Sequence, residues 1–289
     1  MLKGYTKQEI SWMMYDWANS AHSVIIVTLL PIFFDTVAGY TADSVSSMST
    51  WGYATSIAML IVALAAPFLG VFGDIRGMRK KLFSFFMLLG VAACAGMAFT
   101  PGMDFTSGPV AAGKVASLIL VLYIVSVIGF DASAIYYDAF LTDVTIEDRM
   151  DKVSTMGYGL GYIGGSTIPL LIFLIMNLVG VPMLTCLAFV FGLTAVWWLA
   201  FSLPLLKNCE QTSGKPYEKG DVARSIKGVG TTIKEIIANK PMLIYILSYF
   251  FYIDGVHTVI SMATTYGTNL GLDSTGMMLA LLLVQILGL

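Results

Sequence analysis

Long apolar runs separated by short polar connections fill the whole chain. About 20 mostly apolar residues are needed to cross a bilayer as a helix. Runs of that kind fall at 12–37, 51–73, 82–100, 113–140, 154–179, 182–206, 241–265 and 274–289. The pattern therefore predicts eight membrane-spanning helices. The last run reaches the final residue without a polar flank, and the expectation is of a chain cut short inside a larger protein.

The polar connections carry their own pattern. The longest, 207–240, separates six runs from two. Within it Asp221 is a candidate N-cap, and Val222, Ile226, Val229, Ile233, Ile236 and Ile237 recur at spacings of three and four. That is an amphipathic helix suited to the membrane interface. Gly228 and Gly230 weaken helix formation, so a loosely ordered linker is the competing reading. At the other end, Thr6 and Glu9 have capping-box spacing and predict a helix start just before the first run. That run contains Asp16 and Asn19 and has no small-residue cleavage site, unlike a secretory signal.

Composition agrees with a lipid environment. Apolar residues make up 57% of the 289 positions and charged residues 12%, with a mean hydropathy of +0.81. Soluble domains carry about 25% charged residues. The basic residues are sorted by connection. Lys3 and Lys7 precede the first span; Arg76, Arg79, Lys80 and Lys81 follow the second. Arg149 and Lys152 follow the fourth, and the 207–240 connection holds seven more. Only Lys114 falls on the other side. By the positive-inside rule the N-terminus is cytoplasmic. The setting implied is a multi-pass integral membrane protein of the bacterial cytoplasmic membrane, or of the vacuolar membrane if the source is eukaryotic. No basic domain with interleaved aromatics is present, which excludes a nucleic-acid partner. Cys94, Cys186 and Cys209 suit neither a disulfide framework nor a metal site, and no residue points to a cofactor.

Span one and span seven repeat one another: Asn19-Ser-Ala-His22-Ser-Val-Ile against Asp254-Gly-Val-His257-Thr-Val-Ile. Duplicated halves are a common transporter construction. Around these histidines run polar stripes. Asp16, Asn19, Ser20 and Ser23 share one face of span one by their i, i+3, i+4, i+7 spacing, and Asp254, Gly255, Thr258 and Ser261 repeat it on span seven. On span four, Asp131 and Asp138 share a face, with Tyr136 and Tyr137 nearby. Ionisable groups within spans are costly and need a partner or water. The stripes therefore predict a common water-filled cavity. Two readings stay open for Asp16 and Asp138, which lie near span ends: pathway residues, or carboxylates that reach interfacial water. A purely structural role also stays open for Asp131 and Asp254. His22 and His257 are either proton-relay groups or hydrogen-bonded core residues.

Span five has Gly157, Gly161 and Gly165 at four-residue spacing, a face that lets a neighbouring helix approach closely. Pro31, Pro67 and Pro169 are candidate kinks. Between spans two and three stands Gly70-Val-Phe-Gly73-Asp74-Ile-Arg76-Gly77-Met-Arg79-Lys80-Lys81. This resembles the loop signature of the major facilitator superfamily, with Ile75 where a basic residue is usual and Met78 interrupting the basic cluster. Asp74 there is a candidate conformational latch, pairing with a helix N-terminus or an Arg. The other reading is an ordinary positive-inside loop.

Further motifs are Tyr15-Asp16-Trp17-Ala18-Asn19-Ser20-Ala21, Phe130-Asp131-Ala132-Ser133, Tyr137-Asp138-Ala139-Phe140-Leu141, the glycine run of span five and Asp254-Gly255-Val256. Together they resemble the facilitator branch of autophagy-related vacuolar amino-acid effluxers and their bacterial relatives, from about residue 12 onward. Thr142 stands where that branch often has Pro.

The resemblance implies an all-α membrane protein of the facilitator fold. Residues 1–206 would be a six-span N-terminal bundle, 207–240 a cytoplasmic linker, and 241–289 the first two spans of a C-terminal bundle. It implies a secondary transporter that moves a small polar solute, amino acids being the precedent, by alternating access, with a proton or sodium ion as coupling partner. A non-transporting receptor or scaffold on the same fold is the alternative. A membrane-embedded enzyme is disfavoured, since no nucleophile–base motif or H-E-x-x-H pattern occurs.

Overall fold

A computed structural model describes residues 3–41, 44–216 and 221–287. The predicted helices are present, most of them longer than their apolar runs: α1 (Lys7–Ala38), α2 (Ser44–Gly73), α3 (Arg79–Met97, as long as its run but starting three residues earlier) and α4 (Pro109–Val144). Span five is divided into α5 (Met150–Leu160), a π-helical turn (Gly161–Ser166) and α6 (Thr167–Leu178). Then follow α7 (Met183–Asn208), α8 (Asp221–Ala238), α9 (Lys240–Asn269) and α10 (Ser274–Leu287). Among the described residues, seven helical stretches are long and apolar enough to cross a membrane. The eighth expected span is α10, whose 14 described residues fall short of the roughly 20 required. The last two residues of that run lie outside the described residues, as does Lys219 of the basic connection.

Local chemistry sets the helix ends. Thr6 Oγ1 accepts from the Glu9 N–H at 3.1 Å while Glu9 accepts from the Thr6 N–H at 2.7 Å, which completes the expected capping box. Pro109 and Pro182 stand at or just before the starts of α4 and α7, where a missing N–H costs nothing. Asn239 caps α9 by accepting from Met242 N–H. Replacing Thr6 with Ala removes one half of the reciprocal cap. The expected loss is about 1 kcal/mol, read as a lower unfolding midpoint in detergent; an unchanged midpoint would show that the cap is redundant.

The middle helix is α1, and its sequence explains why. It is apolar on nearly all faces, and its buried residues run from Glu9 to Ala38. Helices α4, α5, α7 and the π turn surround it. The outer helices keep apolar faces exposed, including Leu60 and Leu64 on α2, as lipid-facing surfaces require. Elsewhere α3 crosses α4 where Gly90 meets Gly129. A Cβ at Gly129 would strike the Gly90 backbone, and one at Gly90 would strike the Trp198 ring.

The 207–240 connection contains a continuous helix, α8, through Gly228 and Gly230, so the loosely ordered reading does not hold there. The helix begins at Asp221 itself, and the cap position before it lies outside the described residues. Ile233 and Ile237 are exposed on it. Pro31 and Pro67 sit inside helices that continue through them.

Candidate functional site

Where α1, α4 and α7 meet, polar and aromatic groups interlock. Asp16 on α1 accepts a hydrogen bond from the Tyr137 hydroxyl of α4 at 2.8 Å. Trp12, one turn earlier, stacks on the Tyr137 ring at 4.3 Å and donates its indole N–H to the Tyr137 carbonyl. Tyr15 bonds Ser133 Oγ at 2.8 Å and accepts from the Trp198 indole of α7 at 3.3 Å. The i, i+3, i+4 spacing of Trp12, Tyr15 and Asp16 is what puts all three on the α4 side of α1. His22 lies further along between Phe130 and Trp198, at ring distances of 4.8 and 5.0 Å. It is 3% exposed and neither ring nitrogen has a partner among the described residues.

The glycine face of span five covers the polar stripe of α1. A Cβ at Gly157 would meet Asp16 Oδ2, one at Gly161 would meet Ser20 Oγ, and one at Gly165 would meet the Trp17 carbonyl. Ser166 Oγ donates to the Ser20 carbonyl at 3.4 Å. The π turn follows from this approach, with Thr167 Oγ1 donating five residues back to Tyr162 O. Such turns recur at functional sites. On that stripe Asp16 and Asn19 are each 8% exposed, Ser20 is half-buried and Ser23 is exposed, with the glycines of span five lying against Asp16 and Ser20.

The other stripes behave differently from one another. On α4, Asp138 is exposed and Asp131 half-buried. Tyr136 turns away from α1 and donates to Leu69 O on α2. On α9 both Asp254 and His257 are exposed, with no hydrogen-bond or ion-pair partner for either side chain among the described residues. That helix reaches α1 through its other end, where Thr264 Oγ1 donates to Val27 O. His22 and His257 are thus equivalent in sequence and not in surroundings: one is enclosed by aromatic rings, the other is uncovered. Among the described residues no group of His, Cys, Asp and Glu is arranged to hold a metal.

At the basic end Asp74, the expected latch, meets an arginine, Arg79, at 4.0 Å, with its own side chain 84% exposed. Arg79 pairs more closely with Asp143 at the end of α4, whose side chain is fully covered. Arg79 also donates to Ala139 O. Arg76 and Gly77 are exposed, Lys80 donates to the Cys209 carbonyl, and a Cβ at Gly70 would meet nothing. The shorter reach explains the difference: Asp74 leaves the end of α2 pointing outward, while Asp143 lies beside the first turn of α3. Nearby, Glu9 accepts from Arg149 through both oxygens at 2.8 Å and from Thr145 at 2.7 Å. Sequence reading missed Asp143, Gln211, Ser213 and the Glu9–Arg149 pair. A carboxylate one helix turn beyond Ala139, at the basic end of a span, was the available cue for the first.

The family described as vacuole effluxer Atg22 like matches residues 39–150 and 142–289. The uncharacterized MFS-type transporter YxiO of Bacillus subtilis (strain 168) is 40% identical over 294 residues, covering 99% of this chain and 66% of the relative. Autophagy-related protein 22-1 of Penicillium rubens is 26% identical across 51% of this chain and 27% of its own length. Among solved structures, a D-xylose-proton symporter superposes with a TM-score of 0.60 at 14% identity, over 97% of this chain and 65% of that one. That likeness shows the major facilitator fold. The chain spans under two thirds of the symporter chain and about the same share of the Bacillus relative.

Proposed function

Because the chain belongs to the vacuole effluxer Atg22-like family, and is a multi-pass integral membrane protein of the major facilitator fold, we propose that it acts in secondary transport of small polar solutes by alternating access. The observation that carries this reading is the set of carboxylates within spans, Asp16, Asp131, Asp138 and Asp254. Such groups are retained in membrane helices where a solute or ion passes. Asp131, Asp138 and Asp254 line the pathway with Asn19 and Ser20 near it, and the Asp16–Tyr137 bond holds its α1–α4 wall. The coupling ion is a proton or sodium. Amino acids are the first solute class to test, by analogy with the family description alone. The basic end faces the cytoplasm, in the bacterial cytoplasmic membrane or the vacuolar membrane of a eukaryote. Residues 1–206 and 241–289 contribute to separate bundles.

The test is uptake of radiolabelled amino acids into vesicles holding the full-length protein. Asp131→Asn and Asp254→Asn are each expected to lower flux by about tenfold or more, about 1.4 kcal/mol in barrier, at equal membrane abundance. Unchanged flux in both would overturn the pathway assignment. Saturable binding without flux would favour a receptor.

A further inference from the structure

We propose that the segment Asn208–Lys215 is not inter-bundle linker but a clasp fixed to the first bundle, in which Gln211 and Ser213 are positioning residues for Arg79 and Asp143. This goes beyond the carrier reading and rests on it only for the motion the clasp must accompany.

The segment joins the basic ends of four helices. Asn208 donates to Ser11 Oγ of α1 at 2.8 Å, and Cys209 Sγ lies 3.6 Å from Gln8 O. Gln211 Oε1 accepts from the N–H groups of Gly77 and Arg79 at 2.8 and 3.2 Å, while its Nε2 donates to Gly73 O at 3.0 Å. One amide side chain therefore closes the end of α2 against the start of α3. Next, Asp143 Oδ1 accepts from both the backbone N–H and the hydroxyl of Thr212, at 3.1 and 2.9 Å, and of Ser213, at 2.8 and 2.7 Å. The other oxygen, Oδ2, is left to Arg79, which also donates to Ser213 Oγ at 3.1 Å. Bonds to a charged group are the stronger kind. Finally Lys215 N donates to Asp74 O and Arg76 N donates to Lys215 O, a single parallel bridge between Ile75 and Lys215.

Gly214 makes this course possible. Its φ of +114° is open to glycine, and a Cβ there would meet Asp74 O and Gln211 Nε2 at 2.8 Å. A hinge would have few such bonds; this segment has partners at almost every residue. It must travel with α1–α4 when the two bundles move against each other.

Cys209 supplies a native reporter. Its thiol is buried and burial pushes it up to about 12, against about 8.5 for a free cysteine. Docked, it should react slowly with N-ethylmaleimide. In membranes holding the full-length protein at neutral pH, Gly214→Val and Gln211→Ala are expected to speed labelling at Cys209 about tenfold or more. Ser213→Thr, which keeps the hydroxyl, should stay near the unmodified rate, and buried Cys94 should remain protected throughout. Equal rates at Cys209 in the unmodified protein and in Gln211→Ala would overturn the proposal.

The second measurement places spin labels at Lys81→Cys and Lys215→Cys in full-length protein lacking its native cysteines, reconstituted in nanodiscs. One narrow distance distribution is expected, even where a Lys81→Cys/Tyr245→Cys pair reporting on α9 gives several. A Lys81–Lys215 distribution that splits along with the α9 pair would overturn the clasp. A single distance in both pairs would count against rocking, and so against the carrier reading, while supporting the fixed clasp.

Discussion

Gly129→Val in α4 will destabilise the bundle by about 3 kcal/mol or more, toward the upper end for overpacked cores. The reason is what the new side chain meets. At many tight glycines the neighbour is the end of a flexible side chain that can rotate away. At Gly129 it is the backbone of Gly90 together with Phe86 O, and helical backbone cannot yield without moving the whole of α3. The Gly90 side of the crossing has no room to retreat, because the Trp198 indole lies against it, and Trp198 is itself held by Tyr15 and packed at a tilt against His22. Gly113→Val is the control, since it lies in the same helix and a Cβ there meets nothing within 4 Å. It carries the propensity change alone, under about 1 kcal/mol. The measurement is thermal or denaturant unfolding of detergent-solubilised protein, followed as loss of the monomer peak. If the two variants unfold at the same midpoint, the crossing is looser than its geometry implies.

That crossing also marks how far the sequence could be read. Helix positions were legible because lipid demands a run of apolar residues long enough to cross it, and such runs survive any detail of packing. The capping box at Thr6 and Glu9 was legible because it depends on neighbours three residues apart. Gly157, Gly161 and Gly165 were legible as a face because they repeat along one helix. Gly90 and Gly129 carry no such period: the other glycines of their helices, Gly96 and Gly113, stand 6 and 16 residues away, and only their meeting gives them meaning. The π turn at 161–166 was hidden for a related reason, since it is imposed by how closely α1 approaches.

The polar groups divide the same way. Spacing on α1 put Asp16 and Ser20 on one face, but could not say that the glycines of span five would lie against them. The seven-residue repeat placed His22 and His257 alike, yet Phe130 and Trp198 come from helices the repeat does not mention. At the basic end, a loop motif named Asp74 and Arg79 without naming Asp143, 64 residues further on, or Ser213, which lies in a polar stretch that reads as linker. Charges along a chain show where a basic end lies; which carboxylate an arginine takes is decided by the fold.

The Arg79–Asp143 pair should accordingly behave as a coupled unit. Removing one member of a covered ion pair costs about 3–5 kcal/mol, because the other charge is left without compensation. Arg79→Leu leaves Asp143 still accepting from Thr212 and Ser213, whereas Asp143→Leu leaves a covered guanidinium with only the neutral acceptors Ala139 O and Ser213 Oγ and the distant, exposed Asp74, its Nε already lacking a partner among the described residues. Asp143→Leu is therefore expected to be the more damaging single change. Joining the two removes both charges, and the double variant should recover about 1–3 kcal/mol relative to the sum of the singles. Asp143→Asn, which keeps an acceptor for the clasp, should fall between Asp143→Leu and the unmodified protein. Chemical unfolding of full-length protein in micelles gives the cycle directly, and additive single effects would show that Arg79 and Asp143 act independently. Salt separates this pair from its neighbour. Arg149 is partly open to solvent where it meets Glu9, so its contribution should weaken as ionic strength rises, while the energy coupling Arg79 to Asp143 should hardly change.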